Sequence, residues 1–130
     1  FLYFITHGVI SYILFNLKTL RPDEQNQFFN GYVKVNFNKL EVRRSPVIYN
    51  NNNPHWGMVV DLGSEDISSA KLRFEVWDED NKWDDDLLGA CEPLLTAGVK
   101  KDLCNLNHVS TLEYAFRLMT KLVSLKIWGY

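Results

Sequence analysis

The sequence has no basic excess: 14 Lys and Arg stand against 16 Asp and Glu, for a formal net charge of −2. Binding a nucleic-acid backbone needs clustered positive charge, so this balance argues against nucleic acid as a partner. The first seventeen residues hold no Asp, Glu, Lys or Arg at all. That run is shorter than the ~20 apolar residues of a spanning helix. Thr6, His7, Gly8, Ser11 and Asn16 interrupt it, no basic segment precedes it, and its Tyr, Phe, Ile and Val favour strand. A remnant of a secretion signal in Phe1 to Gly8 fits it better than a membrane span. No Asn-x-Ser/Thr glycosylation site occurs to mark a compartment. There is no internal repeat, low-complexity tract or linker. Nucleophile elbow, Walker loop and His-Glu-x-x-His are all missing, and His7, His55 and His108 lie far apart, so no catalytic residue is assigned and a non-enzymatic role is preferred. The only cysteines are Cys91 and Cys104, which composition allows to be free thiols or one disulfide.

What is present suits one folded domain. The chain has 130 residues, 46% of them apolar and 14% aromatic, enough for a real core rather than disorder. Short β-type runs recur: Val9 to Leu17, Tyr32 to Phe37, Val42 to Tyr49, Trp56 to Val60, Leu72 to Trp77, Leu87 to Leu95, Val99 to Leu106 and Leu112 to Phe116. Leu72, Phe74 and Val76 alternate with Arg73, Glu75 and Trp77, the period of a strand with one buried face. Eight such runs separated by turn signals predict an all-β sandwich of two sheets. Asn50 to Asn53 before Pro54 reads as a turn, and Thr120 to Tyr130 is ambiguous.

The charge is concentrated in one place. Asp78 to Asp86 carries six carboxylates in nine residues against one Lys, between two predicted strands. Crowded carboxylates raise one another's pKa unless a cation shares them. Calcium suits such a set because it takes six to eight oxygen ligands in flexible geometry. Zinc wants Cys or His, and none is near. The spacing is not that of an EF-hand, so a site here draws on several loops. The plain alternative is a solvated acidic turn. Against it stands Trp83, an indole within a string of charges, a side chain suited to a lipid headgroup boundary.

These residues carry a resemblance. Asn30-Gly31-Tyr32-Val33-Lys34-Val35 is similar to the Asp-x-Tyr-Val/Leu-Lys-Val strand opening of C2 domains. Asn50 to Asn53 with Pro54-His55-Trp56 resembles their Asn-Pro-x-Trp turn. Val76-Trp77-Asp78-x-Asp80 followed by Asp84-Asp85-Asp86-Leu87-Leu88-Gly89 resembles their acidic loop. Together, with Asn107-His108 near the end, they are most like C2 domains of the perforin type. The likeness covers Val9 to Phe116, so the chain reads as a single C2 domain at 1–130 with a core at 9–118 and extensions at 1–8 and 119–130.

The resemblance implies an eight-stranded antiparallel sandwich of type II topology whose loops at one end hold two or three Ca2+ ions and dock peripherally on phospholipid headgroups; a monomer is expected. It implies Asp78, Asp80, Asp85 and Asp86 as metal ligands, with Asp84 as a further candidate. From the loop before Gly31 it implies Asp23, with Glu24 as the alternative. The second carboxylate of that loop is replaced here by the amide of Asn30. Membrane contact falls to Trp83, flanked by Asn81 and Lys82. A cysteine pair with the same twelve intervening residues is part of the likeness, so it implies a Cys91–Cys104 disulfide and a secreted or secretory-granule location; the alternative is free thiols in a cytoplasmic protein. Two rival readings remain. Lys34, Lys39, Arg43 and Arg44, with Tyr32 and Trp77, could form a calcium-independent phosphoinositide groove. Alternatively the domain binds protein and has lost its metal site, a reading that the amide at Asn30 favours.

Overall fold

The computed structural model describes residues 2–19, 29–63, 70–80 and 84–126, with side chains between His7 and Lys121 of these, Ser11 excepted. It contains β1 (Leu2–Thr19), β2 (Gly31–Phe37), β3 (Leu40–Arg44), β4 (His55–Asp61), β5 (Leu72–Asp78), β6 (Asp86–Cys91), β7 (Gly98–Asn105) and β8 (Ser110–Lys126). They form two four-stranded sheets, ordered β4-β1-β8-β7 and β3-β2-β5-β6, with every pairing antiparallel. This is the expected eight-stranded sandwich.

Period-two alternation builds the core. In β4, Trp56, Met58 and Val60 are buried while His55, Gly57, Val59 and Asp61 face out. In β5, Leu72, Phe74 and Val76 are buried and Arg73, Glu75 and Trp77 are not, as the sequence alternation required. Phe74 reaches across to the other sheet, meeting Phe15 edge-on at 4.8 Å, Tyr114 at 5.3 Å and Phe116 at 6.0 Å between ring centroids.

Several boundaries differ from the sequence reading. The run Val42 to Tyr49 is strand only to Arg44, because Ser45 turns inward and its Oγ accepts the Val33 N–H at 2.8 Å, and Pro46 cannot donate to a ladder. The run Leu87 to Leu95 ends as strand at Cys91, two residues before Pro93. At the other extreme, the ambiguous segment from Thr120 is strand to Lys126. It pairs with the segment before Val9, from Gly8↔Thr120 to Leu2↔Lys126. The uncharged N-terminal run is therefore strand, and the two segments assigned as extensions complete one another.

A Cys91–Cys104 disulfide joins β6 to β7, the edge strands of the two different sheets. Its closed loop is worth about 3 kcal/mol in the chain-entropy picture.

Candidate metal site

One pole of the sandwich collects the end of β1, the start of β2, the Asn50–Pro54 turn, the end of β5 and the start of β6. Register brings the acidic residues there: Gly31 pairs with Asp78, and Asp78 pairs with Asp86. Asp78 is partly buried, and its Oδ1 accepts the Asn30 N–H at 2.9 Å. Burial raises its carboxyl pKa above the usual range. The Asn30 hydrogen bond opposes the rise, and the charges of Asp86, Asp80 and Asp85 add to it. Asp78, Asp80, Asp85 and Asp86 thus lie close enough to repel. Among the described residues, no three His, Cys, Asp or Glu side chains converge closely enough to hold a metal ion. Asp23 and Glu24, and likewise Asn81, Lys82 and Trp83, lie outside the described residues. The donors at this pole are carboxylate oxygens, the type calcium takes, but the described ones do not by themselves complete a metal site.

The remaining candidates divide. Asp84 is exposed beside the cluster. Asp85 faces another way: its Oδ1 accepts the Asp80 N–H at 3.1 Å and its Oδ2 accepts the Tyr32 hydroxyl. These two hydrogen bonds hold its pKa below the usual carboxylate range against some burial, and Lys34 and Arg44 help. Asn30 ties loops together. Its side-chain oxygen accepts the Asn50 N–H at 2.9 Å and its carbonyl accepts the Glu79 N–H at 2.8 Å.

The asparagine run does more than turn the chain. Asn53 Oδ1 accepts the Thr19 N–H at 3.3 Å, the Thr19 hydroxyl donates to the Asn52 carbonyl at 2.9 Å, and Asn52 Oδ1 accepts the Phe29 N–H at 3.0 Å. Thr19 and Phe29 are the residues on either side of 20–28, so this turn clasps the chain on both sides of that stretch. Trp56 completes it by packing against Gly31, where a Cβ would lie 3.0 Å from the indole. Sequence reading saw a turn here but not the clasp; the available signal was four side chains in series able to accept backbone N–H groups. It also missed Tyr49, exposed at the same pole with its hydroxyl hydrogen-bonded to Glu79.

On the outer face of β2 and β5, register sets Tyr32 beside Trp77 and Lys34 beside Glu75, with Arg44 opposite Lys34. The Lys34 ammonium lies 4.2 Å from the Trp77 ring centre, and Arg44 covers Tyr32 at 5.4 Å. Arg43 pairs with Val35 and so belongs to the other face of the sheet. A depression of about 440 Å³ is lined by Lys34, Asn36, Lys39, Glu41, Arg73 and Glu75. Its charge is mixed: Arg44 bonds Glu41 at 2.9 Å, Lys34 lies 4.0 Å from Glu41, and Arg73 bonds Glu75 at 2.9 Å.

Tyr32 carries a direct test of this arrangement. Burial first, then its hydrogen bond to Asp85, pushes its phenol up to about 12. Because the folded value exceeds the unfolded one, the associated stability is complete below about pH 10 and is lost as the pH rises toward 12. Ultraviolet titration of the phenolates should show one tyrosine ionising near the top of this window. Asp85→Asn should move it part of the way back. A full complement of tyrosines titrating near pH 10 would contradict the contact.

The C2 domain family model matches residues 8–109. Rat perforin-1 is 44% identical over 82 residues, 62% of this chain and 15% of the relative; human perforin-1 is 42% identical over 80 residues, 61% and 14%. The chain thus spans about a seventh of the length of these relatives. Among solved structures, a C2 domain described only as such matches with a TM-score of 0.66 at 31% identity, covering 84% of this chain and 97% of that one. A C2 domain of plant extended synaptotagmin 1 matches with a TM-score of 0.64 at 18% identity, covering 90% and 93%. Strand order, the Asn-Pro-x-Trp clasp, the acidic pole and these matches agree, and the chain belongs to the C2 domain family as a perforin-like C2 domain.

Proposed function

We propose that this domain is a calcium-dependent phospholipid-binding module. The observation that carries the reading is the register that gathers the acidic residues at one pole, with Asp78 opposite Asp86 on β6 and opposite Gly31 on β2. Asp78, Asp80 and Asp86, with Asp23 from the first loop, would hold Ca2+; Glu24, Asp84 and the neutral Asn30 are secondary donors. Bound calcium would replace a pole that repels an anionic membrane with one that accepts lipid phosphate or carboxylate oxygens. Asn30 and the Asn50–Asn53 clasp hold the contributing loops in register. Trp83, between Asn81 and Lys82, is the side chain that enters the headgroup boundary. The disulfide suits an oxidising compartment, which favours a secreted or granule-stored protein over a cytoplasmic one. No pore is proposed for this chain.

Calorimetric titration with calcium, with and without phosphatidylserine vesicles, tests the reading. Roughly two or three ions should bind, at about 10⁻⁴ to 10⁻³ M alone as in extracellular modules, and more tightly with vesicles present. No heat of calcium binding in either condition would overturn it and favour a protein-interaction domain. Trp83→Ala should weaken vesicle binding several-fold while sparing calcium uptake, by the same two measurements. The basic-face alternative is disfavoured by the Glu41 and Glu75 carboxylates within that surface. Soluble inositol phosphate binding without calcium would restore it.

A further inference from the structure

Asp85 separates from the other carboxylates of the acidic loop by what it touches. Its two oxygens bridge the loop: one accepts the Asp80 N–H at the far side, the other the hydroxyl of Tyr32 on β2. Tyr32 is a fixed post. It is 3% exposed, sits beside Trp77 in the ladder, and is covered by Arg44, which Glu41 in turn anchors. Side chains alternate sides along extended chain. With Asp85 turned to Tyr32, its neighbour Asp86 falls in register with Asp78. One carboxylate therefore ties the Asp80 backbone to β2, while the β5–β6 ladder sets Asp86 opposite Asp78.

We propose that Asp85 is the latch of the acidic loop rather than one of its metal ligands, and that Tyr32 is the positioning residue that holds it. The consequence for calcium rests on the function proposed above; the latch itself does not. With the latch closed, Asp80 is placed before a cation arrives, so less ordering is left to the binding step. Tyr32→Phe keeps the ring and removes only the donor. Asp85→Ala removes the bridge, and Asp85→Asn returns an acceptor oxygen.

The test combines hydrogen exchange at the Asp80 amide with calcium calorimetry, on the whole chain, with the unfolding midpoint measured alongside. Tyr32→Phe and Asp85→Ala should each speed Asp80 exchange by about tenfold or more and weaken calcium binding about tenfold, the scale of a hydrogen bond to a charged group. Asp85→Asn should recover part of both. If Asp85→Ala eliminates calcium uptake as fully as Asp86→Ala does, Asp85 is a ligand and the proposal falls. It falls equally if Asp80 exchange is unchanged in both Tyr32→Phe and Asp85→Ala. Should the unaltered protein take up no calcium, the functional reading fails, and Asp80 exchange alone decides the latch by the same criterion.

Discussion

The double variant Asp80→Ala, Asp86→Ala is expected to lose calcium-dependent pelleting with phosphatidylserine vesicles altogether. Both residues act electrostatically on Asp78, which lies in register with Asp86 at the end of the β5–β6 ladder. Calcium gains from each carboxylate an oxygen donor and a unit of opposing charge at close range, so each loss lowers affinity by more than about tenfold and the pair by more than about a hundredfold. A site that starts near 10⁻⁴ to 10⁻³ M is then empty under any practical condition. Stability moves the other way. Removing two charges that push the Asp78 pKa up relieves repulsion, so without calcium the variant should unfold no earlier than the unaltered protein. Lost pelleting with intact stability isolates metal binding as the cause. Retained pelleting would sink the calcium reading.

Much of this frame can be read from the residues, and the exceptions have physical causes. β5 was legible because Leu72, Phe74 and Val76 alternate without interruption and nothing outside the strand competes. β3 was misjudged at its end because Ser45 looks like any polar strand residue. Only the structure shows its hydroxyl accepting Val33 N–H and ending the ladder. The final stretch of β8 has no signal of its own. Thr120 to Lys126 becomes strand through its pairing with Leu2 to Gly8, more than a hundred residues away, and single-sequence periodicity carries no such long-range term.

The candidate site shows the same division. That the acidic run lies at one pole followed from its position between two predicted strands, but the direction in which Asp85 faces did not. Three consecutive aspartates are chemically alike, and Tyr32, fifty-three residues away, distinguishes the middle one. The Asn run likewise looked like a local turn. Its partners Thr19 and Phe29 lie more than twenty residues off, so its role as a clasp exists only after folding.

Phe74→Ala should produce the largest loss of stability available from a single side chain. Phe74 is fully buried at the centre of β5, and its ring contacts one aromatic on β1 and two on β8, so it bridges the two sheets. Truncating a buried Phe typically costs about 3–5 kcal/mol, the lost transfer energy plus the cavity left behind. Edge-on aromatic pairs add about 0.5–1.5 kcal/mol each beyond burial, which places this position toward the upper end. Against a domain stability of about 5–15 kcal/mol, the variant would be marginal. Collapse around the gap is limited because Phe15, Tyr114 and Phe116 are each fixed within a paired strand. Guanidinium unfolding should show a lower midpoint with little change in slope, and Phe74→Leu, which refills part of the volume, should lose much less. A loss below about 1 kcal/mol for Phe74→Ala would mean that the sheets are held chiefly elsewhere, with the disulfide between β6 and β7 the first place to look.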